Sequence, residues 1–227
     1  ADDRKGRGPL VLLGHSMGGA IAARFVAGAL EQAPWSRPVD GLVLSSPALD
    51  AGLSAFQRGL LGATLPLVPH LAVDGQNLGQ SMAIIEYLDE THPEPPLLPR
   101  EPVGRAQVRA LAQSIACEIH PLNNLRVLKY LVKEMGASEE AKNTWYRHWV
   151  RSGLEAFELQ LAAHPGPYCS GHAPTLADCC LVPQIFNGQR FAVDFSGLPR
   201  TMAAFEACMA LPAFQRAQPS SCPDFES

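Results

Sequence analysis

Residues 68–88 have the sequence VPHLAVDGQNLGQSMAIIEYL, and two kinds of secondary structure meet within them. A short apolar run ends at Asp74-Gly75, a pair that favours a two-residue β-hairpin turn because both positions tolerate positive φ. After the return strand, apolar residues recur at helical spacing: Met82, Ile84, Ile85 and Leu88. The segment therefore predicts a hairpin followed by a helix that begins at Ser81 or Met82, with Ser81 as the N-cap.

The start of this helix is a candidate binding site. Free N–H groups and the positive end of the helix dipole lie there, beside the Gln80 amide and the Ser81 hydroxyl. Such a set suits the α-carboxylate of a small peptide. The alternative interpretation is that Ser81 only caps the helix.

The segment resembles the second half of the thioredoxin-like domain of zeta-class glutathione transferases, the maleylacetoacetate and maleylpyruvate isomerases. The resemblance continues nearly to the C-terminus through three motifs: PPLLP at 95–99, IACEIHPLNNLRVL at 115–128 and TLADCCLVPQ at 175–184. It implies that glutathione is the cofactor and that Pro69 is a cis-proline, with the backbone of Val68 pairing with glutathione. It also implies that Gln80 and Ser81 hold the γ-glutamyl end.

A different pattern precedes this segment. The apolar run Pro9–Leu13 is followed by GHSMG at 14–18 and then by a helical pattern, which is the strand, Gly-x-Ser-x-Gly and helix of a nucleophile elbow. Such a turn exposes the Ser16 hydroxyl and directs the N–H of Met17 at a developing oxyanion. With a second apolar run at Leu42–Ala48, residues 9 to about 65 resemble an α/β-hydrolase of the monoacylglycerol-lipase type. Beyond residue 82 the sequence predicts no further strand to supply an acid and a histidine, so we do not expect an intact triad.

The chain therefore looks chimeric. Both parent folds have a right-handed β-α-β unit followed by a helix at this point, so the hydrolase-like segment can occupy the missing half of a thioredoxin-like domain. In this hypothesis Pro9–Leu13 and Gly41–Ser45 are the first two strands, and Ser16 faces Gln80 and Ser81 across a cleft. The alternative is a badly packed segment beside a surviving helical domain.

The remainder of the chain predicts an all-helical domain. The proline-rich residues 91–102 predict a linker between a thioredoxin-like domain at 1–90, hybrid in its first half, and a helical domain at 103–227. Val108, Leu111, Ile115 and Ile119 are spaced for one helix. Residues 138–161 are spaced for another, whose expected core residues are Trp145, Trp149, Leu154, Phe157 and Leu161.

Two further features of the helical domain carry predictions. Thr175 and Asp178 have the spacing of a capping box, to which we assign a structural role. Arg190 matches an arginine that in the isomerases is thought to bind a substrate carboxylate, a task suited to a forked guanidinium. A surface ion pair is the alternative for Arg190.

Composition excludes several classes of function. A net charge of -4 with 18% charged residues argues against nucleic acid or an anionic membrane as a partner. No apolar run approaches the roughly 20 residues that span a bilayer, and no secretory pattern opens the chain. The six cysteines lack CxxC spacing, which predicts reduced thiols, no metal site and a cytoplasmic location.

The resemblance implies a homodimeric, glutathione-dependent isomerase of a small molecule, maleylacetoacetate or maleylpyruvate. In that family the glutathione thiolate adds to a conjugated cis-enedione, the bond rotates and the thiol leaves. Ser16 is the one candidate for lowering the pKa of the thiol, and we expect weak or absent activity because the family's own first half is missing. Two alternatives stay open: a serine esterase acting through Ser16, and a non-catalytic chimera whose helical domain only dimerises.

Overall fold

The computed structural model describes residues 11–15, 41–45, 70–73 and 76–218, with side-chain surroundings from residue 78 onward. The chain divides into two compact units. One comprises Ala1–Glu94 and Ala213–Ser227, and the other comprises Pro95–Pro212. The domain limits expected from the sequence, at 1–90, 91–102 and 103–227, stay a prediction.

The first unit contains a four-stranded sheet. Its strands lie in the order β2-β1-β3-β4, where β1 is parallel to β2 and antiparallel to β3, and β3 is antiparallel to β4. The strand bounds are Val11–His15 for β1, Gly41–Ser45 for β2, His70–Val73 for β3 and Gln76–Gly79 for β4.

Strands from the two parts of the chimeric sequence pair with each other. In β1, from the hydrolase-like segment, Leu12 lies opposite Leu71 and Leu13 opposite His70 of β3. The first two strands therefore complete the sheet as the hybrid hypothesis predicts, although β1 begins two residues later than the predicted Pro9. The helices expected after β1 and after β2 lie outside the described residues.

The predicted hairpin is confirmed. His70 pairs with Gly79 at the open end, and Val73 pairs with Gln76 beside the turn, which leaves two residues to connect β3 and β4. That connection has the length that Asp74-Gly75 favours, although these two residues themselves lie outside the described ranges.

Helices account for most of the remaining described residues. A π-helical segment, Ser114–Ile119, continues the first helix of the second unit. The α-helices are α1 Ser81–Thr91, α2 Pro102–Gln113, α3 His120–Asn123, α4 Leu125–Lys133, α5 Glu139–Leu161, α6 Leu176–Arg190, α7 Pro199–Met209 and α8 Pro212–Arg216.

The helix predicted through Ile119 is therefore regular α-helix only as far as Gln113. After it, the N–H of His120 donates to the carbonyl of Ile115, five residues earlier, as in a π-turn. Pro121 follows, and because proline has no N–H it cannot continue the α-helical ladder.

The long helix α5 supplies much of the core of the second unit. It buries Tyr146, Val150, Leu154, Phe157 and Leu161. The prediction that Trp145 and Trp149 are core residues is wrong by one position, since both are only half-buried. The indole of Trp145 donates to the carbonyl of Leu122 at 2.8 Å, which suits an aromatic ring at the boundary of a core.

The proline-rich residues 92–101 form neither helix nor strand. Leu97 and Leu98 within them are buried, and the carbonyl of Leu97 accepts a hydrogen bond from the N–H of Leu176 at 3.0 Å. That residue opens α6, where both bonds of the predicted capping box between Thr175 and Asp178 are present. The proline-rich segment is thus packed against the start of a core helix.

Among the helices of residues 81–218, none is both long enough and apolar enough to cross a membrane.

Candidate functional site

One end of the sheet leads directly into Gln80, one of the candidate binding residues. His70 lies opposite Leu13 of β1 on one side and opposite Gly79 of β4 on the other. β1 and β4 therefore end, and β3 begins, at the same end of the sheet. Gln80 follows β4 directly, whereas Ser16, Val68 and Pro69 lie outside the described residues, and the roles assigned to them stay predictions.

Helix α1 begins at this end of the sheet, and the residue before it has unusual backbone dihedral angles. Its N-cap is Gln80, at φ 69° and ψ 119°, and the Gln80 side chain makes no capping hydrogen bond. Ser81 is the first residue of the helix, so its predicted start is confirmed but its predicted role as N-cap is wrong. The carbonyl of Gln80 accepts from the N–H of Ile84 at 3.0 Å, which begins the helical ladder.

Gln80 thus has a positive φ; backbone conformations of this kind cost about 1–3 kcal/mol in residues other than glycine and cluster at functional sites. Gln80 is exposed and Ser81 is half-buried, so both side chains reach solvent. The Gln80 side chain does not cap the first turn of α1. The start of α1 therefore presents backbone N–H groups together with the Ser81 hydroxyl and the Gln80 amide. Such a donor set fits a carboxylate.

Arg190 occupies a second candidate position, in the helical unit. It is the last residue of α6, and its side chain is exposed. The Tyr146 phenol lies near it. Burial raises the pKa of this phenol, and the positive charge of Arg190 offsets the effect only in part. The phenol therefore stays neutral at physiological pH and does not neutralise the guanidinium.

The residue after Arg190 is held by helix α5. The ring of Phe191 stacks on that of Tyr146 with centroids 3.8 Å apart and planes 14° from parallel. Sequence reasoning missed Tyr146, although its spacing with Val150, Leu154 and Phe157 was visible as an apolar helical face.

The described residues contain neither a candidate metal site nor a disulfide. Residues 78–218 contain no group of three or more His, Cys, Asp or Glu side chains that could hold a metal ion. The five cysteines of this range form no disulfide; Cys117 is exposed and the others are buried: Cys169, Cys179, Cys180 and Cys208.

Comparison with known proteins reflects both parts of the sequence. Residues 1–114 match the Hydrolase_4 family, described as serine aminopeptidase S33. The probable maleylacetoacetate isomerase of Vibrio cholerae serotype O1 is 48% identical over 159 residues, which cover 70% of this chain and 74% of that protein. The two matches overlap, because together they exceed the 227 residues of the chain.

Two solved structures have the fold of this chain. A holo structure of maleylpyruvate isomerase, a bacterial zeta-class glutathione S-transferase, is 39% identical with a TM-score of 0.75, covering 95% of this chain and 100% of that one. The maleylacetoacetate isomerase of Methylobacterium extorquens AM1, with bound malonate and glutathione, is 31% identical with a TM-score of 0.75, covering 96% and 100%. The predicted fold class, an α/β thioredoxin-like domain followed by an all-helical domain, is confirmed by this likeness.

Proposed function

Because the chain belongs to the family of maleylacetoacetate and maleylpyruvate isomerases, the zeta-class glutathione transferases, we propose that it is a glutathione-dependent cis-trans isomerase. The observation that carries this proposal is the identity of 48% over 159 residues to a probable maleylacetoacetate isomerase. The substrate class is a small cis-enedione that bears a carboxylate.

The start of α1 would hold the cofactor. The N–H groups of its first turn and the Ser81 hydroxyl bind the α-carboxylate of the γ-glutamyl end, and the Gln80 side chain places an amide beside it. The backbone of Val68 before Pro69 pairs with the peptide, as the resemblance implies. Glutathione, when bound, supplies a thiolate that adds reversibly to the enedione double bond and so permits rotation.

The other residues orient the substrate and favour the thiolate. Arg190 binds the substrate carboxylate through its forked guanidinium, a geometry matched to two carboxylate oxygens. Ser16 donates a hydrogen bond to the thiolate and so lowers the pKa of the thiol. In support, Ser16 follows β1 in sequence, and β1 ends at the same edge of the sheet from which Gln80 leads into α1.

A calorimetric titration with glutathione tests the cofactor site. Ser81→Ala removes one hydrogen bond to a charged group, worth about 1.5–3 kcal/mol, so Kd should rise roughly 10-fold or more. Ser152→Ala, a change of the same size at an exposed position on α5, should leave Kd unchanged. Isomerisation of maleylacetone that requires glutathione would support the assignment. Absence of both binding and turnover would refute it.

A second candidate function has one observation in its favour, the match of residues 1–114 to the serine aminopeptidase S33 family. In this alternative Ser16 is the nucleophile of an esterase. A fluorophosphonate probe should then label the protein, and Ser16→Ala should abolish the labelling. An unlabelled protein that still turns over maleylacetone would exclude the esterase.

Two further parts of the proposal follow the family. We propose a homodimer located in the cytoplasm. Light scattering coupled to gel filtration should give twice the mass of 24.4 kDa, and a monomer at micromolar concentration would contradict the dimer.

A further inference from the structure

Three residues of α5 contact the segment that follows Arg190, residues 191–196, and hold it in place. Besides the stack of Tyr146 on Phe191, the guanidinium Nε of Arg147 donates to the carbonyl oxygen of Phe191 at 2.9 Å. One turn further along α5, Nη1 of Arg151 donates hydrogen bonds to the carbonyls of Asp194 and Ser196 at 2.8 and 2.7 Å.

The backbone of the segment that follows Arg190 turns at Ala192. Ala192 has a φ of 53°, in the left-handed region that residues other than glycine seldom occupy. The N–H of Val193 returns to the carbonyl of Gly188 at 3.0 Å, which closes the end of α6. Local hydrogen bonds thus close the helix end, and the contacts from α5 hold the same residues from outside.

We propose that Tyr146 and Arg147 are positioning residues for Arg190, holding the end of α6 so that the guanidinium meets the substrate carboxylate in one orientation. This inference rests on the proposed role of Arg190. A long side chain on a fraying turn loses conformational entropy when it binds a ligand, whereas one on a fixed turn has already lost part of it.

Tyr146 and Arg147 contact different atoms of Phe191: Tyr146 stacks on its ring, and Arg147 donates to its carbonyl. Tyr146 is 2% exposed and therefore presents a fixed surface to the Phe191 ring. Arg147 donates to the carbonyl of Phe191, the C-cap residue that follows the last residue of α6. Arg147 also pairs with Glu140 at 3.2 Å, so the ion pair and the carbonyl contact can be removed separately.

The first experiment measures whether the segment is held. Amide hydrogen exchange of residues 189–193 should become faster in Arg147→Met, which keeps an unbranched apolar stem but removes the guanidinium donors. Arg147→Lys should restore part of the protection. Glu140→Gln, which removes only the ion pair, should leave exchange unchanged. Unchanged exchange in Arg147→Met would overturn the proposal.

The second experiment measures binding of malonate, a small dicarboxylate, at saturating glutathione. Arg147→Met should raise the malonate Kd about 10-fold, as expected for an orienting contact, and leave the glutathione Kd unchanged. Phe191→Leu, which removes the stack but keeps the carbonyl, should act in the same direction. In steady-state kinetics the KM for maleylacetone should rise while the KM for glutathione does not.

A double-mutant cycle separates positioning from general stability. If Arg147 acts through Arg190, Arg147→Met should have no further effect on malonate binding in an Arg190→Met background. Equal effects in both backgrounds would overturn the positioning role. If Arg190→Met alone weakens binding but Arg147→Met does not, only this inference fails. If Arg190→Met has no effect, the proposed carboxylate role of Arg190 fails, and this inference with it.

Discussion

The carboxylate of Glu158 caps a helix to which it does not belong, accepting a hydrogen bond from the backbone N–H of Thr201 at 2.7 Å. Glu158 lies on α5 and Thr201 on α7. The same carboxylate accepts from the Thr201 hydroxyl at 2.6 Å and from the N–H of Arg200 at 2.9 Å. The N-cap of α7, Leu198, makes no side-chain cap of its own. The negative charge also suits the positive end of the α7 dipole.

Glu158→Ala should therefore destabilise the protein by about 2–3 kcal/mol, because three donors at a partly buried helix start lose their acceptor. Urea denaturation gives the loss in the free energy of unfolding. Glu155→Ala, on the same helix, removes an exposed ion pair with Arg151 and should cost less than about 1 kcal/mol. Equal losses in the two variants would show that Glu158 is not a cap.

Gly153 is required where α5 crosses the π-helical segment. A Cβ at this position would lie 2.4 Å from Cγ1 of Ile119, whose side chain is 1% exposed. Gly153→Ala should destabilise the protein by about 1–2 kcal/mol, because overpacking outweighs the gain of roughly 1 kcal/mol in helix propensity. Thermal unfolding followed by circular dichroism measures the change.

The control for Gly153 is a cycle with Ile119→Ala, which removes the two nearest atoms and leaves Ile119 Cβ 3.5 Å away. In that background Gly153→Ala should be neutral or stabilising. Ser152→Ala, at the exposed neighbour, should not destabilise. A destabilisation by Gly153→Ala that persists without the Ile119 side chain would locate the clash elsewhere.

Local sequence signals predicted the elements whose stabilising groups are close along the chain. The Asp-Gly pair predicted the hairpin, and the spacing of Thr175 and Asp178 predicted the capping box, because each depends on neighbouring residues. The positive φ of Gln80 was not predicted, because no local rule places glutamine there. The capping of α7 by Glu158 was also out of reach, since the acceptor lies 43 residues before Thr201.

Which residues of α5 enter the core could not be predicted from the sequence alone. Tryptophans at 145 and 149 and the pair Tyr146 and Val150 both have helical spacing, so an apolar pattern alone does not decide which pair enters the core. Packing against the end of α6 decides it, because the Tyr146 ring meets Phe191 there. The residues that hold Arg190 were missed for the same reason.

Asp178 joins three segments through one buried carboxylate. It is fully buried and accepts from the N–H of Thr175 at 2.8 Å, from the N–H of Cys169 at 2.9 Å and from the Thr175 hydroxyl at 2.8 Å, with the Cys208 thiol 3.6 Å away. Asp178→Asn should cost about 3 kcal/mol, since one oxygen becomes a donor that faces other donors. Thr175→Ser, which keeps the hydroxyl, should cost less than about 1 kcal/mol in the same chemical denaturation series.

The cysteines should differ sharply in reactivity. Burial raises the pKa of the thiols of Cys169, Cys180 and Cys208, and the Asp178 carboxylate adds to the effect. Since the thiolate is the reactive form, iodoacetamide should alkylate the exposed Cys117 at least about 10-fold faster than these three. The three buried thiols should stay slow up to about pH 9, because burial holds their pKa above its ordinary value.

Peptide mapping by mass spectrometry after timed quenching gives each rate separately. The same reaction in guanidinium chloride is the control, because unfolding exposes all of these thiols and should bring their rates together. Rapid alkylation of Cys180 in the native protein would mean that α6 opens locally, because its thiol is fully buried in the folded unit. That result would contradict the packing of α6 described above and, with it, a fixed position for Arg190 at the end of that helix.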